Sequence, residues 1–533
     1  MKKIFALALA VFMLLGVVGC AAPATEDVAT EPSTQEEAPV TEAVVADDGP
    51  QEFVYALNGE PLTLDAHYIT DIQSGQIQWQ IHETLFYRNE NAEVTPLLAE
   101  SATEAEDGLS WTIKLKEGVT FHDGTPFNAE AVKYVFDRLL ADETASPKRS
   151  ALDGVVSVDA ISEYEVVCNL AKRDLIFCAK LTNYTTSIMS PAALEKGGYD
   201  NYSDYASGTG PLKLEAWNHG TDMVLVKNEN YHGEEPTVDK LTVKFVSEEA
   251  TRIMMMESGE VDLTVSISPL QCAELEANPS VDVVTMTGYR VIYMGMNNQK
   301  APFDNKLVRQ ALAYAIDKES IVNNILAGMA EYPPSGMWPH TVEYSVQGLN
   351  SYEYNPEKAK ELLAEAGYPN GFDCTFHCYF GARPMDSQIV PAMQAMLAQI
   401  GVNAEIIQMD RAAFMQVVDA LNNDGELDIF FLSKGCSTGD PEFDMTLYIN
   451  ADGGQNYCRY NNPEIEALVR DLPNATDLED RAARLAEIQE LFVEDCGYIP
   501  MYYELMIFAK GSDVQGFQLF PNELYRLAYL TRS

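Results

Sequence analysis

The sequence predicts an α/β protein, on three observations: short runs with strand alternation, helices with a single apolar stripe, and turn dipeptides between them. Phe53-Val54-Tyr55-Ala56-Leu57 reads as a strand, closed by the turn Asn58-Gly59-Glu60-Pro61. Trp111-Thr112-Ile113-Lys114-Leu115 alternates with a period of two, so one face is buried. His122-Asp123-Gly124-Thr125-Pro126 follows as a tight turn, with Asp-Gly supplying the geometry. A helix opens at Asn128 and sets Val132, Val135, Phe136 and Leu139 on one face. Asp304 caps a second helix, whose stripe is Val308, Ala311, Leu312, Ala315 and Ile316. Asn355-Pro356 opens a third, with Asn at the cap, Pro in the first turn, Leu362-Leu363 inward and Gly367 as the stop.

The chain has 533 residues, enough for two or three domains. Asp and Glu number 81 against 35 Lys and Arg, a net charge of −46. Such a surface repels phosphate backbones, which excludes nucleic acid as a partner. The first residues set the compartment. Met1-Lys2-Lys3 is followed by an apolar run from Ile4 to Val18, too short to span a bilayer and flanked like a secretory signal. It ends on Val17-Val18-Gly19-Cys20, which resembles a bacterial lipobox, so residues 1–19 read as a signal peptide and Cys20 as the lipidation site. Residues 20–49 form an acidic tether with Pro23, Pro32 and Pro39 and no basic residue. The lipid is then the only membrane anchor, and the protein sits outside the cytoplasm. Eight further cysteines either pair in an oxidising compartment or serve as small buried hydrophobes.

Catalytic signatures are missing. There is no Gly-x-Ser-x-Gly, His-Glu-x-x-His, Walker loop or dinucleotide fingerprint, and no two of the seven histidines stand at a helical i,i+4 spacing. Cys374-Thr375-Phe376-His377-Cys378 offers two thiols on one face of a strand with His377 turned away, which reads as core packing rather than a zinc site. The sequence predicts no catalytic residue, no metal and no cofactor.

Four stretches carry a resemblance. The first runs from Thr95-Pro96-Leu97-Leu98-Ala99-Glu100 through Leu115-Lys116-Glu117-Gly118-Val119 to Phe121-His122-Asp123-Gly124-Thr125-Pro126-Phe127. The second is Gly208-Thr209-Gly210-Pro211-Leu212 with Glu257-Ser258-Gly259-Glu260-Val261-Asp262. The third is Val308-Arg309-Gln310-Ala311-Leu312-Ala313-Tyr314-Ala315-Ile316-Asp317, and the last is Pro356-Glu357-Lys358-Ala359 with Ala366-Gly367-Tyr368-Pro369. In order and spacing these resemble the extracytoplasmic solute-binding proteins, family 5, of peptide- and nickel-type ABC transporters. The resemblance implies a two-lobed, periplasmic-binding-protein-like α/β fold (class II, cluster C) with an extra subdomain in the first lobe. Lobe I would comprise 50–85, 207–288 and 496–533, the subdomain 86–206, and lobe II 289–495. It implies a monomeric, non-enzymatic receptor that binds a peptide or small molecule between the lobes and serves ABC permease and ATPase subunits. A nickel or metal-chelate receptor is the alternative.

The resemblance also points to site residues. In dipeptide-binding members an Asp three residues before an Asp-Pro holds the peptide amine; here that position is Ser437, ahead of Asp440-Pro441. A serine carries no charge to pair an ammonium. Lys434 in the same stretch would attract a carboxylate, while Asp440 either substitutes for the lost acid or caps the following helix. Arg383, in Ala382-Arg383-Pro384, matches an arginine that clamps a peptide carboxylate, and Arg149 lies where nickel-type members bind a chelator or is simple surface charge. Tyr293 and Asn297, on the strand Val291–Asn297, are candidate cleft residues or buried core.

Overall fold

The computed structural model describes residues 49–533 except 90, 199–200, 333–335, 382, 420–426 and 437. Cys20, the signal sequence, nearly all of the tether and Ser437 lie outside the described residues. Among the described residues no helix is long and apolar enough to cross a membrane.

One large mixed sheet runs through the molecule. Its strands lie in the order Val402–Gln408, Phe372–Cys378, Ile429–Lys434, Val281–Met296, Ile499–Gly511, Leu263–Val265, Glu52–Leu57, Lys240–Phe245, Asp222–Lys227 and Leu212–Asn218. The central pair is antiparallel and unusually long. Val281 faces Gly511 at one end and Met294 faces Ile499 at the other. Their register shifts between Thr287 and Val291, around Gly288. Beyond that shift, Val291–Met296 also pairs with Ile429–Lys434, whereas Phe508–Lys510 pairs with Leu263–Val265. The two strands thus carry the sheet from one lobe into the other.

Strand alternation builds a core on each face of the sheet. In the first lobe Tyr55 and Leu57 enter one cluster with Ile77, Leu225 and Tyr525, while Ala56 enters another with Ile253, Leu275 and Ala509. In the second lobe Ile292, Met294 and Met296 pack against Leu312, Phe376 and Leu397, while Val291 and Tyr293 pack against Trp338, Phe430 and Phe492. Cys496, Ile499, Met501 and Tyr502 belong to the second lobe's core. The chain therefore returns to the first lobe midway along Ile499–Gly511, downstream of 496, where the sequence placed that return.

A separate four-stranded antiparallel sheet, Ala99–Glu104, Ser110–Leu115, Glu165–Leu170 and Val155–Ser162, forms within the 86–206 region. Helix Ala129–Leu140 covers it; Asn128 caps this helix by accepting from the Ala131 amide at 3.1 Å, and Val132, Val135, Phe136 and Leu139 are wholly buried. Asn355 caps Pro356–Glu365 through the Lys358 amide at 3.0 Å. The helix expected at Asp304 starts one residue later: Asn305 caps Lys306–Ala315, because its side chain reaches the Leu307 amide.

All eight cysteines of the described residues are unpaired thiols, seven of them buried. Burial, the largest effect at each, pushes Cys168, Cys374, Cys458 and Cys496 up to about 12, which makes them inert. Addition of a reductant is expected to leave the melting temperature unchanged in differential scanning calorimetry. A fall of several degrees would reveal a stabilising disulfide.

Candidate functional site

Five separate chain segments converge on one cavity of about 480 Å³. They are 70–72, 147–185, the crossing residues Tyr289 and Arg290, 435–455, and 521–523. The cavity thus lies where the two lobes and the subdomain face each other.

On the first-lobe side, Asp71 is the N-cap of helix Ile72–Ile81, accepting from the Ser74 amide at 2.8 Å and the Ser74 hydroxyl at 2.7 Å. Lys148 projects from a turn held by Ser146, whose hydroxyl accepts from the Lys148 amide at 3.0 Å and donates to the His67 carbonyl at 2.6 Å. Burial lowers the Lys148 pKa and Asp71 opposes the shift. Among the described residues Lys148 forms no ion pair; Lys180, the neighbouring cavity lysine, is held by Asp174 at 2.5 Å. Tyr184 completes this wall, its phenol pushed up to about 12 by burial, with Glu523 and Asp71 adding to the shift.

The floor comes from the crossing strands. Arg290 donates from Nη2 to Glu523 at 2.8 Å, and its Nε lies 2.9 Å from Glu504 as an ion pair. Glu523, then Glu504, hold its charged form in place against burial. Across the cavity, helix Pro441–Tyr448 presents Asp444, Leu447 and Tyr448. Gly439, just before this helix, has φ +69°, and a Cβ there would lie 2.7 Å from the Tyr289 hydroxyl and 2.9 Å from Arg88 Nε. Only glycine fits. Arg88 also ties the walls together, donating to the Thr438 carbonyl at 3.0 Å and to Glu343 at 2.8 Å.

Several sequence candidates stand elsewhere. Tyr293 is 2% exposed and wedged between Phe430 and Tyr498, ring centroids 5.9 and 5.1 Å away, because odd residues of that strand face the second lobe's core. Asn297 is buried at the strand end, where its carbonyl group accepts from the Gln299 amide at 3.1 Å. Asp440 caps the Pro441 helix through the Glu442 amide at 3.0 Å and accepts from Arg481 Nη2 at 2.6 Å. Arg149 points outward and pairs with Asp142; the residue that faces the cavity is its neighbour Lys148. Arg383 donates from Nε to the Ser433 hydroxyl at 2.8 Å and lies near enough to Glu504 to lower its pKa, which burial raises. It is not among the cavity-lining residues. Lys434 is also absent from the lining: it sits behind the Asp444–Tyr448 wall and is 2% exposed. Among the described residues no three His, Cys, Asp or Glu side chains are grouped to hold a metal.

Sequence reasoning missed Asp71, Lys148, Arg290, Asp444 and Tyr448. The acids were invisible in so acidic a chain, and the one usable signal was Arg149, the immediate neighbour of the cavity residue Lys148.

Residues 93–456 match the family described as bacterial extracellular solute-binding proteins, family 5 Middle. The glutathione-binding protein GsiB of Escherichia coli (strain K12) is 30% identical over 484 residues, covering 89% of this chain and 93% of that protein. Among solved structures, HbpA2 from Haemophilus parasuis superimposes with a TM-score of 0.82 at 25% identity, covering 90% of this chain and all of that one (100%). The periplasmic binding protein DppA from Helicobacter pylori, in complex with the peptide STSA, gives 0.71 at 26% identity, over 90% and 98% of the two chains. A dipeptide-binding protein from Pseudoalteromonas sp. SM9913 in complex with Met-Leu gives 0.73 at 25%, over 91% and 100%.

Proposed function

Because the chain belongs to the bacterial extracellular solute-binding proteins of family 5, we propose that it captures a short zwitterionic peptide in the interlobe cavity and delivers it to its permease. Members of this family are extracytoplasmic, non-enzymatic binding components that work with ABC transporter permeases. The finer reading is ours: a monomer, lipid-anchored through Cys20, whose ligand is a di- to oligopeptide, modified peptides such as glutathione included.

One observation carries this reading. The cavity sets Lys148, which forms no ion pair among the described residues, on the subdomain wall and the acid Asp444 on the second-lobe wall, with tyrosines between. A ligand bearing both a carboxylate and an amine satisfies both walls at once, and its binding draws them together. The volume falls within the ~300–1,000 Å³ typical of small-molecule sites. GsiB, DppA and the Pseudoalteromonas protein are named with glutathione, STSA and Met-Leu, each a short peptide. Lobe closure would convert occupancy into a shape the permease reads, since only a ligand with differential affinity for the closed form shifts that equilibrium. Ser437 offers no charge, and in this reading the carboxylate end is held by Lys148 rather than by Arg383 or Arg149.

Isothermal calorimetry against Met-Leu, Ser-Thr-Ser-Ala, glutathione and nickel–bis-histidine tests it. We expect binding of at least one peptide and a loss of about tenfold in affinity in Lys148→Ala, the worth of one charge-assisted contact. Binding of the nickel chelate with no response to any peptide would overturn it in favour of a metal-chelate receptor.

A further inference from the structure

We propose that Asp444 is the carboxylate that receives the ligand's ammonium group, and that Lys434, enclosed against Tyr448 of the same helix, gives up its proton when that ammonium arrives. The proposal rests on the peptide reading above and names how one end of the ligand is held.

Asp444 lies on the cavity wall, buried to 3%, with Tyr448 one turn further along the same helix and also lining the cavity. Cys436, which also lines the cavity, stands close enough to Asp444 to feel its charge. Burial, with Asp444 adding to it, raises the Cys436 thiol well above its usual range, so it stays neutral.

Lys434 is enclosed by three aromatic rings, with Nζ 4.0 Å from the Trp338 centroid, 4.4 Å from Tyr498 and 5.0 Å from Tyr448. Its ammonium has no hydrogen-bond partner among the described residues. The titratable groups that face it are Asp444 and Tyr448 from the helix, Cys436 from the loop after its own strand, Cys458 from the loop beyond the helix, and Tyr498. Burial lowers Lys434 to about 7, against the pull of Asp444, Cys436 and Cys458. The ring faces attract the charged form, but burial without a hydrogen-bond acceptor outweighs them and weakens the attachment of that proton.

The chemistry follows from sharing one carboxylate. An ammonium arriving from the cavity and the Lys434 ammonium compete for the same negative charge in a site shielded from water. One positive charge has to go. The ligand amine is held by the rest of the ligand, whereas Lys434 discharges by losing one proton to solvent and remaining as a neutral amine among the rings. Ligand capture is then linked to proton release, and affinity for a free amine rises with pH through the Lys434 transition. A blocked amine carries no charge and displaces no proton.

The experiment compares Met-Leu with N-acetyl-Met-Leu, and glutathione with N-acetylglutathione, by calorimetry at pH 6.0 and 7.5 in phosphate and in imidazole buffers. For the free amines we expect at least about fivefold tighter binding at pH 7.5, and release of roughly one proton at pH 6.0 falling below half at pH 7.5. The acetylated forms bind with no such gradient. Asp444→Asn loses at least about tenfold toward the free amines and narrows the gap to the acetylated ones. Lys434→Met abolishes both the pH gradient and the buffer-dependent heat. Equal affinity for free and acetylated ligands, or a gradient that persists in Lys434→Met, overturns this inference while leaving the peptide reading intact. Absence of binding by all four ligands overturns both.

Discussion

Replacing Arg481 by methionine is expected to destabilise the protein by about 3–5 kcal/mol. The guanidinium is 1% exposed and serves two carboxylates at once: Nη2 donates to Asp440 at 2.6 Å, and Nε and Nη2 donate to Glu442 at 3.1 and 3.0 Å. Asp440 is fully buried, so methionine would strip it of its paired guanidinium and leave Arg88 as the more distant positive charge. Removing one partner of a buried pair costs far more than the pair itself is worth, because the remaining charge keeps its desolvation penalty. The effect should reach the cavity, since Asp440 also caps the helix that carries Asp444 and Tyr448. Urea denaturation of wild type, Arg481→Met, Asp440→Asn and the double variant measures this. In the double variant the buried anion is gone, so it should recover part of the loss. A cost below about 1 kcal/mol for Arg481→Met would show that water reaches Asp440.

Lys434→Met is expected to act in the opposite direction and stabilise the protein by about 1–4 kcal/mol near neutral pH. The aromatic enclosure suits an apolar side chain of similar length, and the variant no longer has to bury an ammonium. The pH dependence carries the sign. The folded-state value of about 7 lies below the ordinary lysine value. Between these two values the unfolded chain therefore binds more protons than the folded one, so wild-type stability rises with pH across that window. The advantage of Lys434→Met is consequently largest below pH 7 and shrinks toward pH 10. Denaturation at pH 6.5 and 9 checks both the sign and the slope. A variant less stable than wild type at both values would mean that the rings repay the full cost of burying the charge. A stabilising replacement would identify Lys434 as a residue kept at the expense of stability, as binding-site groups commonly are.

What the sequence disclosed divides along the range of the physics involved. The Asn128 and Asn355 caps were legible because a cap is decided within four residues. The slip from Asp304 to Asn305 arose because both side chains are able to cap and only packing selects between them. The site was less legible. Strand alternation says that Tyr293 and Met294 face opposite sides, but not that both sides are core at that point; the strand meets the cavity only at Tyr289 and Arg290, where it leaves one lobe for the other. Lys148 was passed over for Arg149 because a short turn has no periodicity from which to read direction. Lys434 was expected to attract a ligand carboxylate, but it does not line the cavity, because three aromatic residues distant in sequence close over it.

The long central strand pair has a consequence for the order in which the protein is completed. Ile499–Gly511 lies between Val281–Met296 and Leu263–Val265, and the first lobe's core draws on Val514, Leu519, Tyr525, Leu527 and Leu530. Both lobes therefore await a strand that follows nearly all of their others in the chain. Until it pairs, the sheet has an empty lane through its middle, and neither half has closed its hydrophobic surface. Neither lobe is thus a folding unit that can be completed alone before Ile499–Gly511 is in place.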